Sequence, residues 1–146
     1  MVRIETNGAL EAKRLESVID TILSEMKSVA VVGISDKPER PSHAVARFLK
    51  EKGFRIIPVN PLLTEVLGEK AYKSLADIPG KVDLVDVFRK SADVLPVAKE
   101  AIRVGARFFW MQEGVENEEA RALLAGAGIP VVMDRCVKKE IEKRGG

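Results

Sequence analysis

Short apolar runs, most of them rich in β-branched residues, alternate along this chain with stretches whose apolar positions recur every three or four residues. The runs are Val29–Ile34, Phe54–Val59, Val82–Val87, Arg107–Met111 and Ile129–Met133. Each has strand length, and none shows the polar alternation of a half-exposed strand, so all read as strands buried on both faces. Leu10, Leu15, Val18, Ile19, Ile22, Leu23 and Met26 predict an amphipathic helix over about Ala9–Met26, ahead of the first strand. Ala44, Val45, Phe48 and Leu49 predict a second over about Ser42–Lys52, ended by Gly53. A third is expected over about Ala92–Val104 with Ser91 as its cap and Gly105 as its stop, though Pro96 pulls its start towards Leu95. A fourth covers about Asn117–Ala125, and a short charged helix follows Asp134-Arg135-Cys136. The turn-rich section Leu62–Gly80 is expected to hold one short edge strand near Lys70–Tyr72.

Strands alternating with helices of this length predict an α/β fold. The expected form is a three-layer, Rossmann-like parallel sheet with helices on both faces, one domain over 1–146, preceded by the helix within 1–27. Right-handed crossovers fix that layering. Ligands of such sheets bind beyond the carboxyl ends of the strands, where the strand order reverses. Five segments should therefore share one rim: Gly33–Ser42, Asn60-Pro61, Phe88-Arg89, Gln112–Gly114 and Asp134–Cys136.

Charge narrows the ligand. With 24 basic against 22 acidic residues, the surface as a whole is not built for nucleic acid or a membrane, and 5% aromatics leave little for base stacking. One cysteine excludes an intramolecular disulfide and one histidine excludes the common metal centres, so no metal is expected. Met1–Leu10 is too polar for the apolar core of a signal peptide, which makes the cytoplasm the expected compartment.

A local basic corner survives this filter. Val29–Val32 leads into Gly33-Ile34-Ser35-Asp36-Lys37-Pro38-Glu39-Arg40-Pro41-Ser42-His43, a strand, a polar loop and a helix start. Gly33 permits a sharp turn, and Pro41 suits a first helical turn, where a missing N–H costs nothing. Ser42 is a candidate cap or first-turn donor. Free N–H groups beside Ser35, Lys37 and Arg40 make an anion site, with phosphate the usual occupant. The dinucleotide fingerprint is absent, because Ser35 and Pro38 stand where its second and third glycines belong. The second strand ends in Val59-Asn60 rather than in the acid that would hold a ribose diol. A ligand with an extra phosphate fits this pattern, either NADP or coenzyme A.

The Gly33–His43 stretch, Ile57-Pro58-Val59-Asn60-Pro61, Trp110-Met111-Gln112-Glu113-Gly114 and Val131-Val132-Met133-Asp134-Arg135-Cys136 resemble the stand-alone CoA-binding protein family. That family is similar to the CoA-binding domain of the succinyl-CoA synthetase alpha subunit. The likeness runs from about Lys27 to the last helix. It implies a domain that binds coenzyme A or an acyl-CoA and has no established chemistry of its own. By that likeness Gly33, Ile34 and Ser35 approach the phosphates, with Lys37, Arg40, Pro41 and Ser42 beside them. Asn60 and Pro61 border adenine and ribose, Val87, Phe88 and Arg89 line the middle, and Gln112, Glu113 and Gly114 follow the pantetheine arm. The synthetase's other domains are missing, so ligase activity is not carried over.

Individual residues carry further expectations. Cys136 opens the last helix where the thiol end of coenzyme A would arrive, flanked by Arg135 and Lys138, a setting that favours the thiolate and a mixed disulfide with CoA. An acyl-CoA ligase subunit or an NADP-dependent enzyme are the remaining alternatives. His43 is expected to pack rather than to act as a base. Trp110 is expected between sheet and helix, and Asp86 is expected to be hydrogen-bonded within the sheet.

Overall fold

The computed structural model describes residues 4–145. Its frame is a five-stranded parallel sheet in the order β2-β1-β5-β6-β7. The strands are β1 (Ser28–Val32), β2 (Arg55–Val59), β5 (Leu84–Val87), β6 (Phe108–Met111) and β7 (Val131–Val132). The five predicted runs are all present: β1 starts one residue earlier and stops two residues earlier than expected, and the other four are trimmed by one to three residues. Two short strands, β3 (Glu65–Val66) and β4 (Glu69–Lys70), form a separate antiparallel pair, and beyond them Tyr72 bridges to Val59 at the edge of the main sheet. The single edge strand expected near Lys70–Tyr72 is thus a small hairpin with a one-residue bridge after it. Strands of two residues are too short to leave a period in the sequence.

Alternation sorts the buried strand residues into two cores. Val29, Val31, Leu84, Phe108, Trp110 and Val132 face α1 (Ile4–Glu25), α2 (Pro41–Glu51) and α5 (Val137–Lys143). Ala30, Val32, Val85, Val87, Phe109 and Met111 face α3 (Val94–Val104) and α4 (Glu118–Gly126). Two-sided burial is why the strand segments read as predominantly apolar runs.

Helix boundaries follow local chemistry. Asn117 caps α4 by accepting from Ala120 N–H at 2.9 Å, as N-cap asparagines do. Ser91 does not cap α3. It sits in a 3-10 turn, Ser91–Asp93, and its hydroxyl instead accepts from Glu116 N–H at 2.9 Å. That turn lets α3 begin at Val94, which places Pro96 within the first turn, where no N–H is needed. Arg144 joins α5 to α1, bonding Glu16 and Asp20 at 2.6 Å each and the buried Glu140 at 2.8 Å.

The lower edge of the sheet is clamped by Asp83. Burial raises its pKa, but its carboxylate accepts from Lys27 N–H at 2.7 Å and Ser28 N–H at 3.1 Å with Arg107 nearby, and the net shift is downward. A lowered pKa in the folded state adds stability that is full above the ordinary carboxylate range and is lost as pH falls through the folded value. Asp83→Ala should therefore cost about 1–3 kcal/mol at pH 7. The deficit against the unsubstituted chain should shrink in urea titrations run in acid, and an equal deficit at both pH values would contradict the clamp.

Candidate functional site

Strand order reverses between β1 and β5. The chain leaves β1 towards α2 on one face, and leaves β5 towards α3 on the other, so the loops diverge and a cleft opens between them. Its floor is tied into the sheet. Gly33 N–H donates to Val59 O at 2.9 Å and Phe88 N–H to Val32 O at 2.8 Å. Gly33 has φ +86°, and a Cβ there would lie 2.3 Å from Phe88 O, so only glycine allows β1 and β5 to meet in this way.

Over that floor lies a cleft of about 620 Å³ lined by Gly33, Ser35, Lys37, Arg40, Pro41, Ser42, Val45, Phe88, Arg89, Lys90, Gln112, Glu113, Val115 and Cys136. A second hollow of about 350 Å³ shares Gly33, Phe88, Arg89 and Lys90 and continues to Asn60, Pro61, Leu62 and Asp93. The two hollows meet over the β1–β5 junction and form one path along the rim.

The first wall is the start of α2. Pro41 occupies its first position, Arg40 caps it without any side-chain hydrogen bond, and the helical ladder begins only with Ala44 N–H on Arg40 O at 3.1 Å. The N–H groups of Ser42 and His43 therefore stay unspent at the positive end of the helix dipole. Ser42 is not the cap. Its hydroxyl reaches back to accept from Ser35 N–H at 2.9 Å, and Ser35 Oγ accepts from Lys37 N–H at 3.0 Å. These two bonds fold the loop so that the exposed Lys37 and Arg40 border the uncapped helix end. Asn60 supports the same loop, donating from Nδ2 to Ile34 O at 2.8 Å while its Oδ1 accepts from Leu62 N–H at 2.8 Å. Both ends of that amide are engaged, so Asn60 offers the rim a shape rather than free polar atoms.

The opposite wall is cross-braced. Gly114 N–H donates to Asp134 Oδ1 at 2.7 Å, Trp110 Nε1–H to Arg135 O at 2.7 Å, and Val137 N–H to Gln112 Oε1 at 3.2 Å. Asp134 holds this position with φ 58°, a left-handed backbone that aspartate tolerates better than most residues. Cys136 is the N-cap residue of α5 and is 8% exposed on the cleft side.

Most of the expected site residues come together here. Gly33, Ser35, Lys37, Arg40, Pro41, Ser42, Phe88, Arg89, Gln112, Glu113 and Cys136 line the main cleft, and Asn60 and Pro61 line the hollow beside it. Ile34 and Val87 do not reach it. Both side chains are fully buried, and Val87 lies in the core on the α3 side of the sheet. Gly114 is exposed but lines neither hollow. Val45, Lys90 and Val115 line the cleft without having been singled out; Val45 could have been found as the residue one helical turn after Ser42.

Trp110 is fully buried, as expected, and His43 is 7% exposed in the first turn of α2 with Nδ1 unpartnered. Asp86 departs from expectation. It is fully buried with neither carboxyl oxygen hydrogen-bonded, and burial holds its pKa well above the ordinary carboxylate value. The strand ladder uses only backbone groups, so nothing in the sheet can satisfy the side chain.

A family model described as a CoA binding domain matches residues 27–142. The chain belongs to this CoA-binding domain family. The span matches the likeness seen in the sequence and leaves α1 outside it. An uncharacterized protein of Bacillus subtilis, YneT, is 47% identical over 82% of this chain and 89% of its own length. A solved hypothetical protein from Pyrococcus horikoshii superposes with a TM-score of 0.86 at 40% identity, covering 90% of this chain and 92% of that one. The alpha subunit of an ADP-forming acetate–CoA ligase from Pyrococcus furiosus is 46% identical over 40% of this chain, which spans only 13% of that subunit.

Proposed function

We propose that this protein binds coenzyme A or an acyl-CoA along the rim of its sheet. The observation that carries this reading is the uncapped start of α2, with Lys37 and Arg40 beside it, opening into the cleft at the strand-order reversal. Two unspent N–H groups, a helix dipole and two cations suit a pyrophosphate. The smaller hollow suits the adenosine, with Leu62, 89% exposed, offering an apolar surface for a base. The main cleft, walled by Val45, Phe88, Val115 and Cys136, suits the pantetheine arm. Membership of the CoA-binding domain family supports the same ligand.

Calorimetric titration of the dialysed protein is the test. Coenzyme A should bind with a clear heat and NADP should bind far more weakly. Tighter binding of NADP would overturn the reading in favour of a nicotinamide-dependent enzyme.

A second reading, a thiol-exchange role, rests on the position of Cys136 in the wall of the same cleft. The Cys136 thiolate would attack one sulfur of CoA disulfide, forming a protein–CoA mixed disulfide and releasing one CoA thiolate. Mass spectrometry after incubation with CoA disulfide should show one added CoA, removed by dithiothreitol and absent from Cys136→Ser. An unmodified chain would end this reading while leaving reversible CoA binding intact.

A further inference from the structure

Asp86 is the one fully buried carboxylate among the described residues, and it has no structural partner to explain it. Its place in the sheet is informative. Register sets Val31, Asp86 and Trp110 in one row across β1, β5 and β6. Two residues further along the same strands, and so on the same face, come Gly33, Phe88 and Gln112, all of which line the cleft. Asp86 thus lies one row beneath the cleft floor. The residues above that face include Val45 of α2 and Cys136 at the start of α5, both members of the same packed cluster and both lining the cleft. An acid placed there by packing alone would be costly, since a buried polar group without a partner is strongly unfavourable.

We propose that Asp86 is the recognition group for the uncharged end of the ligand's tail, its carboxyl hydrogen-bonding an amide or thiol that enters between Val45 and Cys136. This rests on the cleft being a CoA site, and it adds which residue reads the tail. Burial pushes its pKa well above the ordinary carboxylate value and so favours the neutral acid, which presents one donor and one acceptor. That is the complement of an amide, which presents a carbonyl and an N–H, and it disfavours a tail ending in a carboxylate. Lys37 and Arg40 read the phosphates in the cleft itself; Asp86, which lines neither hollow, reads a neutral polar tail that passes between Val45 and Cys136 to the row beneath the floor.

The test compares coenzyme A with adenosine 3′,5′-bisphosphate, which has the nucleotide but no tail, on the full chain by calorimetry. Asp86→Leu should weaken coenzyme A about tenfold, the scale of one lost neutral hydrogen bond. It should leave the bisphosphate unchanged, and its melting temperature should rise because the orphaned acid is gone. Asp86→Asn keeps a donor and an acceptor and should stay close to the unsubstituted chain. In infrared difference spectra the protonated-carboxyl stretch should shift on adding coenzyme A, stay put with the bisphosphate, and be missing from Asp86→Asn. Equal loss for both ligands, no loss for either, or a carboxyl band unmoved by coenzyme A would overturn the role of Asp86. Failure of the unsubstituted protein to bind either compound would overturn the CoA reading itself, and the two failures are therefore distinct.

Discussion

Gly33→Ala should be the most damaging single-methyl change in the molecule. The added Cβ would stand 2.3 Å from Phe88 O and 3.1 Å from Phe88 C, both backbone atoms, and Phe88 is held by its own bond to Val32 O. Relief would require parting β1 from β5 at the floor of the cleft. Overpacking of this kind costs about 1–3 kcal/mol, and a non-glycine residue at positive φ costs about 1–2 kcal/mol more. At about 3 kcal/mol in all, the melting temperature should fall by roughly 10 °C for a chain of this size. Gly53→Ala is the matched control, because Gly53 also has positive φ but a Cβ there would meet nothing within 4 Å. It should show the backbone cost alone. Equal melting temperatures for the two variants would mean that the close approach of β1 and β5 is not what glycine provides.

Reversing the charge at Arg40 should produce the largest change in ligand affinity. Arg40 caps α2 and lines the cleft with Lys37, while no acidic side chain is paired with either among the described residues. Arg40→Glu both removes an attraction to the phosphates and installs a repulsion beside the helix dipole. An affinity loss of about a hundredfold, or about 2.7 kcal/mol, is expected at low salt. The loss should diminish as salt is raised, because these are exposed charges. Lys13→Glu makes the same change in net charge on the exposed face of α1 and should leave affinity alone. A loss shared by both variants would point to overall charge rather than to a phosphate site; no loss at Arg40 would remove it from the site.

Much of this architecture can be read from the sequence because a doubly wound sheet imposes long-range order through local signals. Unbroken apolar runs such as Val29–Val32 announce strands with two covered faces, and Gly33, Gly53 and Gly105 mark where the chain must turn. The rim followed from topology once the strands were placed. What escaped the sequence depends on side chains meeting across the fold. Nothing near Ser91 shows that its hydroxyl serves Glu116, 25 positions away, instead of its own helix. The family likeness implies Val87 in the cleft, but alternation turns it to the opposite face of the sheet. Asp86 looked like an acid whose partner would be found in the sheet, and only the packed structure shows that none is in reach.

The junction of Gly33 with Phe88 bears on how an occupant comes and goes. Both residues stand just past the strand ends yet bond back into the sheet, so the seat of the cleft cannot loosen without unzipping the centre of the molecule. Breathing then falls to the hydroxyl-laced stretch 35–40 rather than to the cross-braced segment around Gly114. Capture and release become a matter of one flap working over an anvil.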